Sequence, residues 1–244
     1  MRGSRKHVLD WTSRVEFASE FLTLVDGAGC QVRVGETWLP QGYADPEEAR
    51  LDVWGPRAAP LLADWDELAN WWLVHRRGAN RPNWDLVVSC EIDGVPGLAL
   101  VEAKAHVNEL ETAGKRVDHD ASMNSKANHE RIGVAIEEAR VSLDQTHPGV
   151  HISRDRHYQL SNRVAFSWKL GTMGVPTLLL YLGFLGDDGM GSPSIQDSDH
   201  WGKVMASYVK PVLPDGFVDS WIPCGPARMK MIVRSRTVIQ ASVR

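Results

Sequence analysis

Asp85, Glu102 and Lys104 are three ionisable residues set within two apolar runs, residues 85–92 and 97–104, on either side of a turn. Ionised groups inside a buried sheet are costly unless they are paired or bound to a metal ion. A strand that carries them there points to chemistry. If the hairpin folds about residues 94–95, Asp85 lies opposite Lys104, and the alternation of a strand puts Glu102 and Lys104 on one face. Two converging carboxylates repel, and one stays protonated unless a cation sits between them. Oxygen donors from Asp and Glu suit a hard ion such as Mg²⁺ or Mn²⁺. Lys104 can orient or help deprotonate a water on that ion, or stabilise an anionic transition state. The alternative for the same residues is an exposed edge strand with an ion pair. Leu98, Leu100 and Val101 before the triplet, and Ala103 and Ala105 interleaved with it, speak for burial.

The elements that must position these groups are legible from pattern. Residues 85–92 and 97–104 are rich in Val, Leu and Ile and read as strands, with Asp93-Gly94 and Pro96-Gly97 as turn signals between them. Residues 157–170 read as a helix, with Leu160, Val164, Trp168 and Gly171 on one stripe and Gln159 and Arg163 four apart on a neighbouring polar face. Gly171, Gly174 and Pro176 end it, and the continuous apolar run 177–185 fits a strand buried on both faces. Further helices are expected over 12–25, 61–75, 127–145 and 199–209, a short strand near 30–34, and a strand or hairpin over 229–239. Residues 36–60 are Pro-rich and irregular, and 107–126 read as a mobile polar loop after the second strand of the hairpin. The whole is expected to be an α/β domain with a mixed central β-sheet and helices on both faces.

An acid at the start of one core strand, then Glu-x-Lys on the next, resembles the PD-(D/E)XK nuclease superfamily. Asp85 and Glu102-Ala103-Lys104 carry the resemblance, with Trp84 standing where the pattern has proline. It implies a restriction-endonuclease-like core over about residues 60–186 of one domain spanning 1–244, and metal-dependent phosphodiester cleavage by an activated water. Asp85, Glu102 and the Ala103 carbonyl would hold Mg²⁺ or Mn²⁺, and Lys104 would act on the water. Gln159 and Arg163 match the helix residues that such folds direct at the site, Gln159 as a brace and Arg163 on a phosphate. A helix before the hairpin often adds a glutamate, for which Glu67 is nearest, with Glu16 and Glu20 as rivals. His129, placed at the first turn of the 127–145 helix, is a further candidate for a phosphate. The expected partner is nucleic acid, DNA before RNA, with a homodimer as one way to cut two strands. The contrasting expectation is a nuclease-fold module without catalysis that binds nucleic acid or serves assembly.

Composition bounds these readings. In 244 residues the net charge is −4, less basic than a non-specific duplex binder needs, so any nucleic-acid contact must come from local clusters. Arg76, Arg77 and Arg81, then Arg154, Arg156 and His157, then Arg228, Lys230, Arg234 and Arg236 are the available ones, though each taken singly reads first as solvated surface. Trp38, Trp54 and Trp84 are candidates for stacking on an unpaired base. Asp118-His119-Asp120 lacks a partner motif. No run reaches membrane-spanning length, the basic N-terminus lacks the apolar core of a signal peptide, and three cysteines without paired spacing fit a reducing cytoplasm.

Overall fold

The computed structural model describes residues 2–32, 37–51, 64–77, 79, 82–189 and 193–239. Among them are seven strands: β1 (Cys30–Gln31), β2 (Trp38–Leu39), β3 (Leu86–Ile92), β4 (Val95–Lys104), β5 (Thr177–Leu185), β6 (Trp221–Cys224) and β7 (Ala227–Thr237). Six α-helices accompany them: α1 (Gly3–Thr12), α2 (Phe17–Leu24), α3 (Trp65–Trp72), α4 (Met123–Thr146), α5 (Tyr158–Thr172) and α6 (Ser198–Val209). The strands form one mixed sheet in the order β1-β3-β4-β5-β7-β6, with β2 also on β3. β4, β5 and β7 run parallel in the middle; β3 and β6 flank them antiparallel. No helix of the described residues is long and apolar enough to cross a membrane.

Helices cover both faces of the sheet. Val87, Leu98, Leu100, Leu179, Tyr181, Met229 and Met231 meet α3, α4, α5 and α6 on one side. Leu86, Val88, Ala99, Val101, Leu178, Leu180 and Ile232 meet α1 and α2 on the other. This explains the uninterrupted apolar run of β5, since Leu178 to Leu182 are all fully buried whichever way they point. It also assigns Glu102 and Lys104, in step with Leu98 and Leu100 along β4, to the face packed by α5.

The β3–β4 hairpin turns one residue earlier than its composition suggested. Ile92 pairs with Val95 and Leu86 with Val101, so the loop is Asp93-Gly94, both left-handed at φ 54° and 78°. That is the type I′ geometry whose twist matches its strands. Asp85 therefore falls opposite Glu102, not Lys104. Pro96 and Gly97 belong to β4 rather than to the turn. A Cβ on residue 97 would lie 2.7 Å from the Pro176 carbonyl oxygen, so the glycine there serves a close approach.

Two further expectations change. The 12–25 helix is the shorter α2, Phe17–Leu24, and a separate helix, α1, precedes it over Gly3–Thr12, with residues 13–16 between them. The 107–126 loop is held at its centre: Thr112 and Ala113 carbonyls accept from His157 and Tyr158 amides at 2.8 and 3.0 Å, and the Lys115 amide donates to Arg154 at 2.8 Å. The remaining helices lie where their periodicity placed them, with shifted ends. α3 starts at Trp65, capped by Asp64, whose carboxylate accepts the Glu67 amide at 2.9 Å; Leu61 and Leu62, like Gly35, Trp54 and Arg81, lie outside the described residues. α4 starts at Met123, so His129 sits in its second turn rather than its first.

α5 is buried nearly all round from Leu160 to Gly171. Gln159 and Arg163 share a polar face, but α5 is wedged between the sheet and α4, so that face is turned inward. Its end is a Schellman motif: Val175 N–H bonds the Leu170 carbonyl at 2.9 Å and left-handed Gly174 the Gly171 carbonyl at 3.0 Å. Gly171 thus lies inside the helix, where a Cβ would come within 2.5 Å of the Cys224 Cβ.

Candidate active site

Where β3 begins, the chain changes partners. Trp84 bonds Ala49 in both directions, at 3.1 and 2.9 Å, and so leaves β4 unpaired beyond Val101 on that side. The Ala103 amide is met instead by a side chain: it donates to Asp85 Oδ2 at 2.7 Å. An extended residue turns its N–H and C=O to the same edge of the strand. The Ala103 carbonyl therefore points toward the Asp85 side, past the end of the β3–β4 ladder.

On the face of the sheet, Glu102 is held by two cations. Lys104 Nζ lies 2.6 Å from Oε1 and Arg163 Nε 2.7 Å from Oε2. Glu102 and Lys104 are 2% and 4% exposed and Arg163 6%, so these contacts are shielded from solvent. Arg163 is fixed on every side. Its Nη2 donates to the Asn83 carbonyl at 2.6 Å, its Nη1 to Asn162 Oδ1 at 3.0 Å, and its plane lies 4.5 Å from the centre of the Trp84 ring. A guanidinium so engaged braces the acid. It is not presented to a phosphate, which corrects the expectation for Arg163. Trp84, fully buried beneath it, is likewise not available to stack on a base.

The electrostatics separate the two acids. Burial pushes Asp85 up, Glu102 adds to this, and Lys104, the Ala103 amide and Arg163 only partly offset it, so its pKa lies at about 7. Burial alone would raise Glu102 too, but Arg163 and then Lys104 overcome it and hold Glu102 below the ordinary carboxylate range. Asp85 is half-buried, the most open of the group. At neutral pH the site thus pairs a fixed anion with an acid poised to gain or lose a proton.

Tyr181 was not anticipated. It is the cross-strand neighbour of Glu102 on β5, is fully buried, and belongs to the same electrostatic group: burial first, then Tyr208 and Glu102, raise its hydroxyl. Nothing in the apolar pattern of β5 marks it except a hydroxyl in the middle of the run. Tyr208 of α6 lies behind it, rings 6.5 Å apart.

The other candidates lie elsewhere. Gln159, one turn before Arg163, is half-buried with its Oε1 unpartnered in the interior. Glu67 is exposed and paired with Lys169 at 2.6 Å; Glu20 serves Trp11 Nε1, Arg14 and Arg236; Glu16 faces Arg14 at 3.5 Å. None of these glutamates joins Asp85 and Glu102. His129 is buried on α4 among Arg154, Glu130 and Lys115. Trp38 packs on Phe17, ring centres 4.9 Å apart. The basic clusters are largely matched with acids: Arg76 with Asp66, Arg154 with Asp155 and Glu130, Arg228 with Asp93, Arg234 with Asp219 and Arg236 with Glu20.

A metal ion can be weighed against this donor set. Among the described residues no three His, Cys, Asp or Glu side chains converge. The oxygen donors at hand are two carboxylates, Asp85 and Glu102, and the Ala103 carbonyl turned to the same edge. That suits Mg²⁺, which is held by one or two carboxylates and keeps several waters. Burial first and Glu102 second raise Asp85, and a divalent cation beside it would favour its ionised form.

Comparison with protein-family models, with curated proteins and with solved structures found no match to this chain.

Proposed function

We propose that the protein is a metal-dependent nuclease of the restriction-endonuclease-like kind, hydrolysing phosphodiester bonds in nucleic acid, DNA before RNA. The observation that carries this reading is the hairpin register, by which the Ala103 amide anchors Asp85 beside Glu102 while Lys104 stands 2.6 Å from the same Glu102. Asp85, Glu102 and the Ala103 carbonyl are the groups that would hold Mg²⁺ or Mn²⁺. When bound, the ion would neutralise phosphate charge and acidify a water.

The chain's own residues divide the remaining work. Arg163 fixes the rotamer of Glu102 and keeps it ionised. Asp85, at about 7, must lose its proton for the pair to bear two negative charges. Lys104 is the cation with donors left over: one hydrogen bond of its ammonium goes to Glu102, and the others can meet the attacking water or the anionic transition state. Trp84 and Tyr181 keep bulk water away from the acids, which strengthens every interaction within the group.

A second reading has one observation in its favour. Both Glu102 oxygens are taken by cations, so Asp85, Glu102, Lys104 and Arg163 balance to zero charge without an ion. A catalytically inactive nuclease-fold module that binds nucleic acid or serves assembly could keep such a cluster for stability. Incubation of the purified protein with DNA and RNA in Mg²⁺ or Mn²⁺ separates the two: ion-dependent cleavage that Lys104→Ala abolishes supports the nuclease, and binding without cleavage supports the module.

A further inference from the structure

Lys115 differs from the other cations near the site. Its segment is clamped against residues 154–158 by the three backbone hydrogen bonds described above and by the Ala113–Arg156 bridge. Gly114 makes this possible, since a Cβ there would lie 2.3 Å from the Asp155 carbonyl oxygen. The Lys115 ammonium lies 5.0 Å from the centre of the Tyr158 ring. Burial lowers its pKa, and among the described residues no carboxylate pairs with it. The Arg154 guanidinium, by contrast, is occupied by Asp155 at 2.9 Å and Glu130 at 3.1 Å.

His129 is tied to the same segment through Arg154, whose carbonyl accepts the Lys115 amide at 2.8 Å and whose Nη1 donates to the His129 carbonyl at 3.3 Å. It is 8% exposed, and its Nδ1 is enclosed without a hydrogen-bond partner. Burial, Arg154 and Lys115 push its pKa down against Glu130 and Asp155, which favours the neutral ring with one N–H to donate. A half-buried ammonium held by its backbone, with no acidic partner among the described residues and the imidazole of His129 on the helix that Arg154 also touches, suits an anion. The position is contiguous with the acids. The Tyr158 hydroxyl lies against Asn162, Asn162 accepts from Arg163, and Arg163 holds Glu102.

Resting on the nuclease reading, we infer that Lys115 and His129 hold a phosphodiester group of the substrate strand next to the one that is cleaved. Lys115 supplies charge and His129 a neutral donor, and Tyr158 is the wall between this subsite and the acids. Such a subsite would answer how a chain of net charge −4 grips a polyanion: by one preset cation at the right place rather than by a basic surface.

The test uses the full chain and two variants, Lys115→Met, which keeps the aliphatic stem over Tyr158, and Lys203→Ala, a charge-matched control on exposed α6. Binding of a fluorescein-labelled DNA oligonucleotide is titrated against salt in EDTA. The expected result is that Lys115→Met lowers the slope of log K against log salt by about one and weakens binding uniformly across sequences, while Lys203→Ala leaves both unchanged. Equal behaviour of the two variants overturns the inference. In Mn²⁺, Lys115→Met is expected to lower kcat/KM on the oligonucleotide about tenfold and to leave turnover of thymidine 5′-p-nitrophenyl phosphate, a single diester, unchanged. Equal losses on both place Lys115 at the scissile group and overturn the subsite. If the wild type turns over neither ester, the nuclease reading falls, while the loss of slope in EDTA still supports the subsite.

Discussion

The Asp85 carboxylate accepts the Ala103 amide at 2.7 Å, one step beyond the last paired residues of the β3–β4 ladder. A side chain there replaces a main-chain partner, and this draws the acid in beside Glu102. Asp85→Asn keeps an acceptor for Ala103 but cannot ionise. The folded-state pKa of Asp85, about 7, lies above its ordinary value of 3.8. The folded protein therefore holds this proton more tightly than the unfolded chain, and the group costs stability progressively as pH rises from about 4 to about 7. Urea denaturation at pH 5 and pH 8 should find Asp85→Asn at least as stable as wild type at pH 8, with the advantage shrinking at pH 5. A variant much weaker than wild type at pH 8 would show that the ionised acid is structurally required.

The same acid sets the pH profile of activity. Ion-dependent cleavage should rise with pH through about 7, as Asp85 loses its proton. Raising the Mn²⁺ concentration should move the midpoint to lower pH, because ion and proton compete for the same oxygens. A profile that is flat from pH 5 to 8 would remove Asp85 from the chemistry.

Arg163 and Glu102 form a buried pair whose separate loss is expensive. Arg163→Ala leaves Glu102 with a single counter-charge and should cost about 3–5 kcal/mol. Arg163→Lys should recover only part of this, since an ammonium cannot reach Glu102, Asn83 and Asn162 together. The double variant Arg163→Met with Glu102→Met should cost less than the two single changes summed. Additive costs in a double-mutant cycle would mean the two groups do not act as a pair.

Much of this was legible in the sequence, for identifiable reasons. β5 was placed because a run buried on both faces has one appearance, and Glu102-Ala103-Lys104 stood out as charge among Leu, Val and Ala. The hairpin register was misplaced because Asp93-Gly94 and Pro96-Gly97 are both turn signals, and only the twist of a type I′ turn decides between them. The role of Arg163 was hidden because its partners Glu102 and Asn83 are 61 and 80 positions away. Helical spacing identified the face on which Arg163 sits and could not say that the face is turned inward. Tyr181 was hidden because a tyrosine fits a strand as well as it fits a site.

Gly94 is a direct check on that register. Its φ of 78° is open to glycine and strained for a branched residue. Gly94→Val should lower stability by about 1–2 kcal/mol and leave cleavage by the folded fraction intact, because the turn lies at the end of the hairpin away from Glu102. Loss of cleavage at full folding would mean that the register itself had slipped.

Incubation of supercoiled plasmid and labelled oligonucleotides with wild type and Lys104→Ala, with and without Mg²⁺ or Mn²⁺, tests the central claim most directly. Cleavage by the wild type only in the presence of ion is expected, together with a loss of about a hundredfold or more in Lys104→Ala and an unchanged circular dichroism spectrum. Cleavage that persists in Lys104→Ala, or that proceeds equally in EDTA, would contradict the account.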